Sequence, residues 1–132
     1  MKLLLDTHLL LWAAQGGDGP ADRLPAQAAA LIDDPTNLLH FSPASIWEVA
    51  IKSQLGRDDF KVDAQLLRRG LLDNGYVELP ITGEHAVAVG RLPPIHRDPV
   101  DRRWVAQATV EGLTLLTSDA RIGDYPGSIR KV

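Results

Sequence analysis

The chain has 132 residues, room for one ordinary domain and a single core. Its composition, 45% hydrophobic and 23% charged, is that of a globular protein and excludes disordered and fibrous classes. It carries no cysteine, which removes disulfides, thiolate zinc sites and cysteine nucleophiles, and its net charge of −3 is not that of a domain that grips nucleic acid by charge alone.

Lys2 to Asp6 is a short continuous aliphatic run, the pattern of a strand buried on both faces. Thr7 to Ala14 reads as a helix, and Gly16-Gly17-Asp18-Gly19-Pro20 as a loop that ends it. Asp6 and His8 interrupt what would otherwise resemble a signal peptide, and no apolar stretch approaches a membrane span, so a soluble cytoplasmic protein is expected. Pro25 to Asp33 is predicted helical and Asn37 to Phe41 a second strand. Ser42-Pro43 starts the next helix, with serine as the cap and proline in the first turn. That helix runs to about Leu55, where Gly56 stops it. Val62 to Asp73 is a further helix, Tyr76 to Leu79 a third strand, and Thr82 to Arg91 another helix. After the loop Leu92 to Arg97, Asp98-Pro99 opens a helix ending near Glu111-Gly112. Leu113 to Thr117 and Ile129 to Val132 complete five strands. There is no repeat or linker, so residues 1–132 are expected to form one α/β domain, a mostly parallel central sheet flanked by helices.

Two aliphatic strands end in aspartate, at Leu5-Asp6 and at Thr117-Ser118-Asp119. In an open parallel sheet the ligand site lies beyond the carboxyl ends of the strands, so both acids belong to one edge. Either could also be a cap or turn former. Asp101 falls three positions after the cap Asp98 and could reach back to its amide. It also shares a helix face with Trp104, Val105 and Ala108, which aims its carboxylate inward. Glu48 borders the apolar arc of its own helix and could simply pair with Lys52. Taken together, carboxylates converging on one edge are costly without a cation. Hard ions such as Mg²⁺ or Mn²⁺ prefer such oxygen ligands and complete their shell with water and substrate phosphate. Phosphodiester hydrolysis is the chemistry that fits.

Several blocks in order resemble the PIN-domain family: Leu4-Leu5-Asp6-Thr7-His8, Ser45 through Lys52, His96-Arg97-Asp98-Pro99-Val100-Asp101-Arg102, and Ala106-Gln107-Ala108 followed by Glu111 through Asp119. The resemblance spans nearly the whole chain and is nearest to the VapC-like toxin branch with its His-Arg-Asp-Pro-x-Asp-Arg signature. It implies a PIN-like three-layer sandwich and a metal-dependent endoribonuclease using Mg²⁺ or Mn²⁺. A homodimer inhibited by a small cognate antitoxin is also implied. The family's acidic positions fall on Asp6, Glu48, Asp101 and Asp119, the expected catalytic and metal-binding residues. Asp98 is left as cap, supporting group or extra ligand, and Thr117 corresponds to the hydroxyl residue that lines this pocket. Arg103 and Trp104 depart from the aliphatic residues usual in that helix, and the Gly16–Pro20 loop is also unusual.

Arg97, Arg102, Arg103, Arg121 and Lys52 lie close in sequence to the acids, and a basic rim for RNA phosphates is expected chiefly from Arg102, Lys52 and Arg97. The four histidines have no metal-binding spacing, and Trp12 and Trp47 fit core or dimer-interface positions. A phosphate-receiving signalling module would need a lysine-ended strand, and a haloacid-type phosphatase an aspartate where His8 stands. The remaining alternative is a catalytically weak PIN domain that only binds RNA or protein.

Overall fold

The computed structural model describes residues 1–14, 24–56, 62–95 and 99–132. The Gly16–Pro20 loop and His96, Arg97 and Asp98 lie outside the described residues. The strands are β1 (Lys2–Leu5), β2 (Leu38–Phe41), β3 (Val77–Glu78), β4 (Thr114–Thr117) and β5 (Ile129–Lys131). The helices are α1 (Thr7–Ala14), α2 (Ala26–Asp33), α3 (Pro43–Gln54), α4 (Ala64–Asp73), α5 (Gly83–Val89) and α6 (Pro99–Glu111). The sheet order is β3-β2-β1-β4-β5, and every strand pairing is parallel. The sequence predicted a mostly parallel sheet, and here it is parallel throughout.

Strand pleating sends alternate residues to opposite faces and so builds two cores. Leu3, Leu5 and Leu116 pack with Leu9, Leu10, Phe41, Val49, Leu67 and Leu71 on one side of the sheet. Leu4 and Leu115 pack with Trp104, Val105, Ala108, Ile122 and Tyr125 on the other. This is a three-layer α/β sandwich. The three leucines of β1 are fully buried, worth roughly 1.5–3 kcal/mol each.

Element ends follow local chemistry. The Ser42 hydroxyl accepts the Ala44 amide at 3.1 Å and starts α3. Gly56, at φ 70°, supplies the left-handed residue that closes it, as its position in the sequence predicts. The fourth helix begins at Ala64 rather than Val62, because Asp63 caps it by accepting the amides of Gln65 and Leu66. Thr82 likewise caps α5 instead of joining it. As an edge strand pairing on one side only, β3 shortens to two residues. None of the described helices is long and apolar enough to cross a membrane.

Candidate active site

With every strand parallel, all five carboxyl ends lie along one edge. The chain runs outward through β2 and β3 on one side of β1 and through β4 and β5 on the other. The boundary between β1 and β4 is therefore the topological switch point, where open α/β sheets form their ligand crevice. Asp6 follows β1 and Thr117 ends β4, directly across that boundary, since Leu5 is paired with Leu116. Helix α3 leaves this edge after β2, so its first half, with Ser45 and Glu48, stays near it. Helix α6 returns antiparallel into β4, so its first turn, with Asp101, starts there.

Asp6 is 1% exposed. One carboxylate oxygen accepts the Leu9 amide at 2.9 Å, the helix-start contact expected of a cap. The other accepts the Thr117 hydroxyl at 2.6 Å. Burial pushes the Asp6 carboxyl above its ordinary value, while the bonds from Thr117 and Leu9 and the nearby His8 pull the other way. Thr117 is fully buried and also accepts the Asp119 amide at 3.1 Å, so one hydroxyl joins both strand-end acids. Asp119 accepts the Arg121 amide at 2.9 Å and lies 3.3 Å from its guanidinium.

Glu48 stands on α3 between two donors. Its Oε1 is 2.9 Å from the Lys52 ammonium, the local ion pair its spacing predicts. Its Oε2 accepts the hydroxyl of Thr7, the residue after Asp6, at 2.8 Å. Asp101 is 6% exposed, buried along with Trp104, Val105 and Ala108, so its face of α6 points inward as expected. Among the described residues, no three histidine, aspartate or glutamate side chains stand together as a ready-made ligand group. Asp6, Glu48 and Asp119 are instead each turned to local donors, which offset the repulsion among like charges. The donor set is all oxygen and includes two buried carboxylates, Asp6 and Asp101. An all-oxygen donor set of this kind would suit a hard divalent ion that keeps several waters better than a soft ion that seeks sulfur or several imidazoles.

Of the rim residues, Lys52 is engaged with Glu48, and Arg102 is half-buried with its Nε lacking a hydrogen-bond partner. Trp104 is core, and Trp12 packs partly buried against the other core. Trp47 is 59% exposed, with the Arg103 guanidinium 5.5 Å above its ring. It is thus not core, and the apolar arc of α3 divides into a buried part at Val49 and an exposed stripe of Trp47, Ile51 and Leu55. Its outer portion faces away from both cores, a division that periodicity within one helix does not reveal. His8 stacks obliquely near Trp12, and His40 bonds the Leu3 carbonyl. The Nδ1 of His85 accepts the Thr82 amide, so its Nε2 carries the proton toward Glu111, 2.8 Å away. Neither His40 nor His85 joins the acids, and His8 acts on Asp6 only through its charge. Sequence reasoning passed over Thr7 and Ser45. The available signal was Ser45 three residues before Glu48 on the same helix face.

The sequence profile of the PIN domain matches residues 3–127. No curated protein matches the chain. Among solved structures, VapBC2 from Rickettsia felis, bound to a DNA fragment from its promoter, superposes with a TM-score of 0.67 at 14% identity, over 99% of this chain and 98% of that one. VapBC-1 from nontypeable Haemophilus influenzae gives 0.63 at 18%, over 99% and 98% of the two chains. FitAcB from Neisseria gonorrhoeae gives 0.56 at 17%, over 91% and 89%. At such identities these structures speak for the fold, while the profile spans almost the whole sequence. The chain belongs to the PIN-domain family.

Proposed function

We propose that this protein is a Mg²⁺- or Mn²⁺-dependent endoribonuclease and the toxin half of a VapBC-type toxin–antitoxin pair, acting in the cytoplasm. The observation that carries this reading is the buried Asp6–Thr117 contact at the sheet's switch point, continued from the Thr117 hydroxyl to the backbone amide of the partly buried Asp119, with Glu48 and Asp101 borne by the two helices that begin at the same edge. Asp6, Asp101, Asp119 and Glu48 would hold the ion, which supplies water activation and stabilisation of charge developing on a phosphate. Thr117 orients Asp6, and burial keeps bulk water from competing for its oxygens. Arg102, Lys52 and Arg97 would hold flanking phosphates around the acidic centre, positioning the strand without reading its bases. Asp98, outside the described residues, stays a supporting group or helix cap in this reading.

The partner assignment rests on the same family reading, on an apolar groove and on an exposed apolar stripe. A groove of about 670 Å³ between α1, α2 and α4, lined by Leu11, Ile32, Leu66, Leu67, Leu71 and Tyr76, gives a small antitoxin an apolar seat. The exposed stripe Trp47, Ile51, Leu55 supports a homodimer.

The test is cleavage of a mixed pool of structured RNAs with Mg²⁺ or Mn²⁺, against EDTA and against an Asp6→Asn, Asp101→Asn double variant. Cuts that need both metal and carboxylates, falling at least about 100-fold in the variant, are expected. A folded wild type that leaves every RNA intact at high metal concentration removes the catalytic claim and leaves an RNA- or protein-binding module.

A further inference from the structure

Glu48 differs from the buried acids Asp6 and Asp101 in its surroundings. Its side chain is 18% exposed, it sits on a helix rather than at a strand end, and Lys52 holds one of its oxygens, Oε1, from the solvent side. Its other oxygen faces a pair of hydroxyls. Thr7 is 2% exposed and Ser45 is fully buried, and their Oγ atoms are 2.9 Å apart. Thr7 Oγ1 is also 2.8 Å from Glu48 Oε2. Thr7 has one hydroxyl hydrogen, and an ionised carboxylate can only accept. The single hydrogen of Thr7 is therefore drawn to the charged Glu48 oxygen, with the Ser45 hydroxyl in close contact on its other side. Neither residue is needed for the fold's local chemistry: α1 is capped by Asp6, and α3 by Ser42.

We infer that Thr7, backed by Ser45, is a positioning residue that ties the Glu48 carboxylate to the β1–α1 junction, next to Asp6. Thr7 follows Asp6 directly, so one backbone junction, β1 to α1, fixes Asp6 and aims Glu48. The helix-borne acid is thereby tied to the sheet register rather than to its own rotamers. A long glutamate side chain on a half-exposed helix would otherwise spend its time with Lys52 and solvent. This inference rests on the nuclease reading and adds to it a residue that acts only through Glu48.

The experiment is a double-variant cycle of Thr7→Val and Glu48→Gln, with Thr7→Ser as the conservative rescue. Two readouts are taken on the purified protein: Mn²⁺ affinity by calorimetry, and kcat and KM for RNA cleavage. Valine keeps the shape of threonine and loses the hydroxyl. Thr7→Val is expected to lower Mn²⁺ affinity and kcat by roughly tenfold each with little change in KM, and Thr7→Ser to restore most of both. In the Glu48→Gln background, Thr7→Val is expected to cost nothing further. Additive losses, or a Thr7→Val protein equal to wild type, overturn the inference while leaving the nuclease reading intact. Should Thr7→Val fail to fold, Ser45→Ala carries the same cycle, with the same outcomes and smaller losses. A wild type that neither binds Mn²⁺ nor cuts RNA overturns the reading and this inference together.

Discussion

The two halves of the candidate site are held by different means. Asp6 and Thr117 end adjacent strands in fixed parallel register, with fully buried leucines beneath them, and their 2.6 Å contact follows from the ladder itself. Glu48 and Asp101 ride on helices, where placement depends on how each helix packs and on which neighbours compete for the side chain. Asp101 is settled by its apolar face, being buried with Trp104 and Val105. Glu48 has no such enclosure and depends on Thr7 at one oxygen while Lys52 holds the other. A sheet edge can thus place acids rigidly by register alone, whereas a helix-borne acid needs a second device.

The largest effect should come from cutting the strand half. Thr117→Val removes the donor to Asp6, in a buried setting, and the part-buried acceptor of the Asp119 amide in one step. The expected cost is about 1–3 kcal/mol of stability in urea denaturation, with a 10–100-fold loss of RNA cleavage. Equal activity in this variant would show that the strand ends do not need their shared hydroxyl.

A smaller effect of opposite sign should appear when Asp6 is neutralised. Folding raises the Asp6 carboxyl above its ordinary value, chiefly by desolvation, so the folded state favours the protonated form. The stability this group contributes is then fully present at low pH, and is lost as pH rises from the ordinary carboxylate value through the raised one. In EDTA, Asp6→Asn should melt a few degrees above wild type at pH 7, and the gap should close as the pH is lowered through that window. A variant less stable than wild type at pH 7, or a gap that widens on acidification, would contradict the desolvation argument.

The smallest effect is expected on the helix half. Lys52→Ala removes an ion pair whose lysine side chain is 43% exposed, and it should change stability by no more than about 0.5 kcal/mol. A loss comparable with that of Thr117→Val would mean that Lys52, not Thr7, holds Glu48.

The sheet and most helix limits were legible because local signals agreed with the fold. Continuous leucine runs marked β1 and β4, Ser42-Pro43 and Gly56 bracketed α3, and the strand-ending aspartates pointed to one edge. The inward face of α6 was also readable, since Asp101 shares the spacing of Trp104, Val105 and Ala108. What stayed hidden depends on contacts between distant residues. Thr7 meets Ser45 and Glu48 only because β1–α1 and α3 pack together, and the Ser45–Glu48 spacing within α3 does not reveal that Thr7 joins them. Trp47, Ile51 and Leu55 have the same apolar character as Val49, yet they face outward, and periodicity alone cannot say which part of a broad arc meets the core. The convergence of the acids was likewise read in outline only, since Asp6, Glu48 and Asp119 turn to separate local donors.

The central claim is that these acids together hold a divalent ion, and calorimetric titration of the metal-free protein with Mn²⁺ tests it most directly, comparing wild type with Asp6→Asn and Asp101→Asn. Saturable binding to wild type is expected, with a loss of affinity of about 100-fold or more in either variant. Equal Mn²⁺ affinity in all three proteins, or none in a folded wild type, would contradict it.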